Sequence, residues 1–192
     1  MYKLITAPTI EPVTVAELRS QLRITSTAQD TMLEVLIKAA RANVEDYLRY
    51  ALTNQTWELY LDAFPLSGKY IWIQKSPVTD IVSLTYTSTA GVATTLTENT
   101  DFVADYHSMP CRLFEAYSKT WPTARAIPNA VVIQFKAGYA TAAAVPDVIR
   151  QAIMMQAATM YENPADEITG TQVNKIDFNS DRLLRPLRAM RY

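Results

Sequence analysis

The sequence has 192 residues, of which 49% are hydrophobic and 19% are charged, a balance typical of a globular protein and not of a disordered one. Its formal net charge of −1 gives no overall attraction to nucleic acid, which argues against DNA binding as the main function. The single cysteine, Cys111, excludes an internal disulfide and a cysteine-rich zinc site.

The N-terminal part, residues 1–13, carries two prolines and is predicted to be extended. It has no long apolar segment, so we expect no signal peptide. No run in the sequence reaches the ~18 apolar residues that a membrane span requires, so we expect no membrane association. Thr14 and Glu17 have the spacing of a capping box, which predicts a short helix over Val15–Leu22.

The segment Ala28–Leu52 contains neither glycine nor proline and predicts the main helix. Its apolar residues recur at helical spacing: Met32, Leu33, Leu36, Ile37, Ala40, Val44, Tyr47, Leu48 and Ala51. Asp30 lies at the predicted start, where a carboxylate is favourable beside the positive end of the helix dipole. Glu45 and Arg49 are four residues apart, a spacing that supports an ion pair on the helix surface.

The region from Gln55 to Gly138 is predicted to be β-structure. The predicted strands are 56–63, 70–74, 80–87, 92–96, 101–104, 112–116 and 130–137, with a hairpin turn at 88–91. In the third strand, alternation assigns Val82 and Leu84 to one face and Ile81 to the other. Because no helical segment separates these strands, they predict an antiparallel sheet or a small sandwich.

A second long helix is predicted to begin at Pro146 and Asp147 and to end near Tyr161. We expect the two long helices to pack together. The predicted fold class is therefore α+β, with a helical core of two long helices and a short N-terminal helix, an inserted antiparallel β subdomain and an extended C-terminal tail. The expected domains are a core of 1–54 and 139–165, a β subdomain of 55–138 and a tail of 166–192.

The C-terminal tail combines apolar and cationic side chains. Residues 166–181 show little periodicity and are expected to be extended. Leucines 183, 184 and 187 and Met190 then alternate with four arginines, at 182, 185, 188 and 191. Such a segment is suited to docking onto another protein, but it could equally fold back on its own core. The residues alone leave both interpretations open.

Residues that could carry chemistry are few. His107 and Cys111 could form a metal pair or a nucleophile and base, but no other histidine or cysteine completes a site, so we expect an exposed histidine and a half-buried thiol. Four aspartates, at 62, 80, 101 and 105, lie at predicted strand ends, where turn chemistry explains them. The acidic residues at 162, 166 and 167 could hold a cation weakly, although a solvated loop explains them better.

The remaining signals favour a structural or interaction protein over an enzyme. The four glycines form no phosphate-binding loop, so we predict no cofactor, no metal and no catalytic residue. The tryptophans at 57, 72 and 121 lie in predicted β-structure, where core packing is the default interpretation and stacking on nucleic-acid bases the lesser one.

An ordered set of motifs runs along nearly the whole chain. The central motif is Asp30-x-x-Leu33-x-x-x-Ile37-x-Ala39-Ala40-Arg41-x-x-Val44-Glu45-x-Tyr47, followed by Leu52-x-x-Gln55-Thr56-Trp57. The flanking motifs are Pro12-Val13-Thr14-x-x-Glu17-Leu18, Gln21-Leu22-Arg23-Ile24, Leu61-Asp62-x-Phe64-Pro65, Ser76-Pro77-Val78, Ala137-Gly138-Tyr139, Val145-Pro146-x-x-Ile149 and Leu183-Leu184-Arg185-Pro186-Leu187-Arg188. Together they resemble the head-tail connector, or portal adaptor, proteins of long-tailed double-stranded DNA bacteriophages. Leu187 stands where that family often has tyrosine.

The resemblance implies a structural subunit of the virion neck, made in the host cytoplasm, that forms a ring of about twelve copies under the portal protein. The ring would extend the channel through which genomic double-stranded DNA passes without sequence-specific binding, and it would provide the platform for tail attachment. In that interpretation the long helices form the ring body, with Arg41, Glu45 and Arg49 as its candidate residues. The β subdomain would extend outward or towards a stopper or tail-completion protein.

The resemblance also implies a portal-docking role for the C-terminal segment. Its candidate residues are Leu183, Leu184, Arg185, Pro186, Leu187 and Arg188. Two alternatives are a stopper or other tail-completion protein and, from another class, a small hydrolase with paired acids on the sheet. The long helix argues against the first alternative, and no spacing in the sequence predicts the acid pair that the second would need.

Overall fold

A computed structural model describes residues 1–163 and 180–188 of the chain. The chain forms two compact units. The first, which we call the β unit, comprises residues 1–9 and 54–139, and the second, which we call the helical unit, comprises residues 10–53 and the described residues from 140 onward. The described residues contain α-helices and two antiparallel sheets, which confirms the predicted α+β class. The ring-forming and docking roles of the predicted domains remain predictions.

The β unit contains eight strands in two sheets. The strands are β1 Tyr2–Thr6, β2 Gln55–Leu61, β3 Ile71–Ile73, β4 Val78–Thr87, β5 Ala93–Leu96, β6 Phe102–Asp105, β7 Cys111–Glu115 and β8 Val131–Ala137. Five of them form one sheet in the order β1-β2-β8-β4-β5, and three form another in the order β3-β7-β6. Every pairing between these strands is antiparallel.

Each sheet buries one face. In β8 every second residue is buried: Val131, Ile133, Phe135 and Ala137. In the three-stranded sheet, Ile71 and Ile73 of β3 are buried together with Leu113 of β7. Burial of this many aliphatic and aromatic side chains is the main stabilising contribution to such a unit, at roughly 25 cal/mol for each Å² of apolar surface removed from water.

The first strand has no counterpart among the predicted strands. Residues 2–6, expected only to be extended, pair with β2 so that Tyr2 lies opposite Leu59 and Leu4 lies opposite Trp57. This pairing joins parts of the chain that are fifty or more residues apart, and no local pattern in a five-residue segment can reveal it.

The alternation predicted for the third strand, which is β4 in the structure, was wrong. Val82 and Leu84 were assigned to one face and Ile81 to the other, but Val82 is exposed, whereas Ile81 and Leu84 are both buried. The register against β8 shifts between Ile81 and Ser83. A bulge of this kind adds a residue to one strand and reverses the facing of the side chains that follow it.

The helical unit is formed around two long helices. Its α-helices are α1 Val15–Leu22, α2 Asp30–Leu48, α3 Asp147–Glu162 and α4 Ser180–Leu184. Helices α2 and α3 pack against each other, as predicted for the two long helices, and α1 and α4 both contact α3. Their fully buried side chains include Leu18, Leu33, Ile37, Val44, Leu48, Ile149, Ile153 and Leu184. Within the described ranges, no helix is both long and apolar enough to cross a membrane.

Helix α2 ends at Leu48, four residues before the predicted end. Arg49 adopts the left-handed conformation, with φ of 61° and ψ of 30°, and its backbone N–H donates to the carbonyl oxygen of Glu45. Ala51 and Leu52 remain buried beyond this cap. The predicted end was too late because the apolar spacing continues beyond the last helical residue. The left-handed residue that ends the helix is an arginine, where glycine is usual.

The predicted capping box is present at the start of α1. The Thr14 backbone N–H donates to Glu17 Oε2 at 2.7 Å, and the Glu17 backbone N–H donates to Thr14 Oγ1 at 3.2 Å. The other oxygen of Glu17 accepts a hydrogen bond from Arg150 Nη2 on α3. The pair of contacts fixes the first turn of α1 and joins it to α3.

Glu17 should make the stability of the helical unit depend on pH. The hydrogen bond from the Thr14 backbone N–H, with the nearby Arg150 cation, holds the pKa of Glu17 below its ordinary value of 4.5. A depressed pKa contributes stability that is present above pH 4.5 and is lost as the pH falls through the folded-state pKa. Glu17→Gln should therefore be less stable than the wild type by roughly 0.5 kcal/mol at pH 7, because solvent screens this partly exposed carboxylate, and the difference should vanish in acid. Urea titrations at pH 7 and pH 3 test this, and a difference that does not change with pH would contradict it.

Candidate interaction surfaces

Two of the predicted ring-body residues belong to an internal ion-pair network. Arg41 Nε lies 2.7 Å from Glu11 Oε2, and Arg41 Nη1 lies 2.6 Å from Glu45 Oε2. The other oxygen of Glu45 accepts the backbone N–H of Leu52 at 2.8 Å. Glu45 is only 7% exposed. The network thus ties α2 to the segment before α1 and to the segment after α2, which gives these side chains a stabilising role within their own unit.

The third predicted ring-body residue, Arg49, is the half-buried left-handed cap of α2. The exposed apolar face of α2 lies elsewhere, on Met32, Val35, Ala39 and Ala42, which recur at intervals of three or four residues. Met32 was grouped with Leu33 and Ile37 in one apolar pattern, but it is exposed whereas they are buried. Apolar spacing alone cannot separate the exposed face from the buried one, because α2 carries apolar residues on both.

A cleft of about 320 Å³ lies beside this helix. Ile10, Val13 and Ile37 contribute apolar lining, and Glu34 and Lys38 contribute opposite charges. The exposed side chain of Ile10 adds to the apolar surface at this site. The helical unit therefore presents both an exposed helix face and an adjoining concave surface. Neither surface was predicted from the sequence.

The described part of the C-terminal segment folds back on its own unit. Leu184 is 0% exposed, and α4, to which it belongs, packs against α3. Gln156 Nε2 on α3 donates to Ser180 Oγ at 3.2 Å. The guanidinium of Arg188 lies 5.2 Å from the ring centre of Tyr47, within the range of a cation–π contact.

This arrangement separates the candidate docking residues into two groups. Leu184 is committed to its own unit, whereas Arg185 and Pro186 are exposed, and Leu183 and Leu187 are partly exposed. Residues 185–187 form a 3-10 turn, so this part of the predicted tail is helical and not extended. The tail residues 166–179 and Met190 lie outside the described residues.

Cys111 and His107 form no paired site. Cys111 is fully buried, so the expectation of a half-buried thiol was wrong, and burial raises the pKa of the thiol to about 12. A thiol of that pKa is a poor nucleophile at neutral pH. His107 is exposed, and its backbone N–H donates to Asp105 Oδ1 at 3.1 Å. Across the described ranges, no three histidine, cysteine, aspartate or glutamate side chains are grouped so that they could hold a metal ion.

The aspartates of the β unit have structural partners, but Asp80 lies within β4 and not at a strand end as predicted. Asp62 accepts the backbone N–H of Asn129 at 2.8 Å, and Asp101 accepts that of Thr97 at 2.9 Å. Asp80 pairs with Lys136 at 3.1 Å across neighbouring strands. Of the predicted acidic loop, Glu162 is exposed at the end of α3, and its predicted companions at 166 and 167 lie outside the described residues.

The three tryptophans differ in their burial. Trp121 is buried and stacks on Phe64, with ring centres 5.2 Å apart and an angle of 9° between the planes. Trp57 and Trp72 are only half-buried. Core packing therefore describes Trp121 alone, and Trp72 belongs to an exposed aromatic surface of the β unit, formed with the ring of Tyr70, that the sequence analysis missed.

The chain is similar to one protein family and to several proteins of known structure. The family described as phage gp6-like head-tail connector protein matches residues 12–108. A chain from the neck of an empty gene transfer agent particle, computed with C6 symmetry, is 28% identical with a TM-score of 0.79, and the match covers 100% of this chain and 97% of that one.

A second chain, from the virion of a native gene transfer agent particle, is 27% identical with a TM-score of 0.80 and the same coverage of both chains. A third, from the neck of the native particle computed with C12 symmetry, is 24% identical with a TM-score of 0.77, again over 100% and 97% of the two chains, and supports the fold alone. No curated protein matches the chain.

Proposed function

This chain belongs to the phage gp6-like head-tail connector family, and from that premise we propose that about twelve copies form a ring on the portal of the particle. The protein is a structural subunit of the virion neck. The observation that carries this conclusion is the match over the whole chain to a neck protein, with 97% of that protein covered as well. In the proposed ring the chain acts as an adaptor that extends the DNA channel and supports tail attachment, with no catalytic step.

Ring formation is supported by the symmetry of the similar neck structure, which was computed as C6. A ring requires a heterologous contact, in which one face of each subunit meets a different face of the next. The exposed apolar residues of α2, Met32 and Val35, and the adjoining cleft offer such a face. In this proposal the ring contact is made by Met32, Val35 and the cleft, and not by Arg41 and Glu45. The ion pair between Arg41 and Glu45 holds α2 in place.

Passage of DNA through the ring is supported by the charge of the chain. Tight binding of phosphate groups by a cationic wall would slow the movement of a duplex through a channel. A formal net charge of −1 is compatible with a wall that does not retain the genome. In this proposal DNA is cargo that passes the protein without sequence-specific contact.

Docking onto the portal is proposed for the exposed part of the C-terminal segment. Leu184 would anchor the segment on α3, because it is fully buried there. Arg185 and Pro186, both exposed, and the partly exposed Leu183 and Leu187 would then contact the portal. An anchored segment loses less conformational entropy on binding than a free tail, which favours docking.

Arg185→Glu tests the docking proposal. We expect roughly tenfold weaker binding to purified portal, about 1.4 kcal/mol, because the variant removes an exposed cation at the proposed contact and introduces the opposite charge. The matched control is Arg23→Glu, which changes another exposed arginine of the helical unit. Light scattering of each variant mixed with portal gives the stoichiometry and the affinity. Wild-type binding by Arg185→Glu, or equal weakening by the control, would contradict the assignment.

A further inference from the structure

Each of the two long helices has an outer face, which is directed away from its buried stripe. On α2, the exposed Val35 precedes the buried Ile37 by two residues, which places the two side chains about 200° apart around the helix axis. On α3, the partly exposed Gln151 precedes the buried Ile153 by the same spacing. Because α2 and α3 pack against each other, their outer faces lie on different sides of the helical unit.

The outer face of α2 is apolar and borders the cleft. Met32 and Val35 are exposed on it. Lys38, which follows Val35 by three residues, lines the cleft, and the segment before α1 contributes Ile10 and Val13 to the same cleft. We refer to Met32, Val35, Lys38 and the cleft together as the receiving face.

Two arginines hold the wall of the cleft that precedes α1. Arg41 Nε, on α2, lies 2.7 Å from Glu11 Oε2, and Arg150 Nε, on α3, donates to the carbonyl oxygen of Pro12 at 3.0 Å. Glu11 itself lines the cleft. A wall that is fixed before binding loses little conformational entropy when a partner enters. The cleft is therefore preformed and does not need to be ordered by its occupant.

Lys38 sets the charge that the occupant has to supply. The cleft is lined by two opposite charges, Glu34 and Lys38. Lys38 and Val35 are three residues apart and are neighbours on the helix surface, whereas Glu34 and Val35 are consecutive and do not face the same way. Lys38 is therefore the charge beside the exposed apolar residues. An apolar side chain that enters here is complemented best by a carboxylate next to it.

The outer face of α3 carries this combination. Val148 is 45% exposed, and the preceding residue, Asp147, has a side chain that is 96% exposed. Arg150 Nη1 lies 3.4 Å from the Asp147 carboxylate, but a pair at this exposure is screened by solvent and contributes little. Met155 and Ala158, both partly exposed, continue the face along the helix. We refer to Asp147, Val148, Met155 and Ala158 as the inserting face.

The two faces divide the exposed apolar surface of the helical unit between them. Among the described residues of this unit, the exposed large apolar side chains are Ile10, Met32, Val35 and Val148. The first three belong to the receiving face or its cleft, and Val148 belongs to the inserting face. A ring requires that one face of each copy meets a different face of the next. A second copy of this chain therefore supplies both the apolar group and the carboxylate that the receiving face requires.

We propose that Val148 of one copy enters the cleft of the next copy and that Asp147 pairs with Lys38 across the contact. The α3 helix of each copy then lies along the α2 helix of its neighbour. The inference rests on the proposed function, which supplies the ring, and it adds which two faces meet and which charges select them.

Charge reversal tests this pairing. Lys38→Glu places two carboxylates against each other across the contact, and Asp147→Lys places two ammonium groups there. Each variant alone should need a concentration at least roughly tenfold higher than the wild type to form rings, because like charges oppose each other. The double variant Lys38→Glu/Asp147→Lys restores opposite charges and should assemble as the wild type does. Analytical ultracentrifugation over a concentration series, with electron microscopy of rings seated on purified portal, measures assembly.

A mixture of the two single variants distinguishes a second copy from every other occupant. When the two chains alternate around a ring, every contact again joins opposite charges. An equimolar mixture of Lys38→Glu and Asp147→Lys should therefore form rings at a concentration where neither variant does so alone. The matched control is Lys69→Glu, the same substitution at an exposed lysine of the β unit, and it should assemble normally. Circular dichroism and the melting temperature of each variant report whether the helical unit is folded.

Each outcome decides the proposal. Wild-type assembly of both single variants overturns it, and so does an equal loss in the Lys69→Glu control. Loss of assembly in the single variants that neither the double variant nor the mixture restores also overturns it, because the two side chains then do not face each other. In these cases the wild type still forms rings, and the proposed function stands. A wild-type chain that forms no ring, alone or on the portal, contradicts the proposed function and this contact together.

Discussion

Glu45→Ala is expected to lower the free energy of unfolding of the helical unit by about 3 kcal/mol or more. Glu45 is almost fully buried, with one oxygen 2.6 Å from Arg41 and the other 2.8 Å from the backbone nitrogen of Leu52. Among the described residues, removing the carboxylate leaves the largely buried guanidinium of Arg41 with Glu11 as its remaining acidic partner, and it leaves the buried N–H of Leu52 without this acceptor. Removing one partner of a buried ion pair lowers the free energy of unfolding by more than the intact pair contributes to it.

The measurement can separate the two units, because all three tryptophans lie in the β unit. In Glu45→Ala, the circular dichroism signal of the helices should be lost at a lower urea concentration than in the wild type. Tryptophan fluorescence reports the unfolding of the β unit separately. Glu34→Ala is the matched control, since it removes an exposed glutamate from the same helix and should change stability by no more than about 0.5 kcal/mol. Equal stability of Glu45→Ala and Glu34→Ala would contradict the buried network.

Leu184→Ala should destabilise the helical unit by about 3 kcal/mol, because a fully buried leucine in contact with a long helix leaves a cavity when it is truncated. The variant should also weaken the attachment of α4 to α3. Faster hydrogen exchange in residues 180–188 and along the face of α3 that contacts them would report that change.

Leu66→Ala provides the comparison, since it truncates a leucine that is 82% exposed and should leave stability almost unchanged. The outcome bears directly on the C-terminal segment. If Leu184→Ala is as stable as Leu66→Ala, the C-terminal segment is not held on the helical unit. That result would favour the alternative interpretation, in which the segment is a free docking tail. If it is strongly destabilised, deletion of the segment is not a clean test of docking, and point variants such as Arg185→Glu are required.

Local sequence patterns were sufficient where the interactions are local. The capping box of Thr14 and Glu17 could be recognised because both partners lie within one turn of the same helix. The last strand was found at Val131–Ala137, within one residue of the predicted boundary, because its alternation is regular and its ends are marked by polar and glycine residues. In such places the periodicity of the side chains is itself the cause of the structure.

Features that depend on distant partners could not be found in this way. Tyr2–Thr6 becomes a strand only through β2, and Arg41 receives one of its carboxylate partners from Glu11, thirty residues earlier. The end of α2 depends on a left-handed arginine, Arg49, which no propensity scale would select. Each case is decided by tertiary contacts that override the local pattern.

The aromatic surface was missed for a related reason. Tyr70 to Ile73 is a continuous apolar run, so alternation could not show that Trp72 faces outward while Ile71 and Ile73 face the core. Arg112 gave a polar signal in its strand, but its pairing opposite Trp72 appears only in the assembled sheet. Membership of the connector family was recognisable because it rests on the order of many motifs and not on any one contact.

Electron microscopy of the purified protein mixed with the portal of the same particle tests ring formation most directly. We expect annular particles seated coaxially on the portal, with a central opening wide enough for duplex DNA and a subunit number of about twelve. Isolated single subunits at every concentration and in the presence of portal, with no ring on any portal particle, would contradict it.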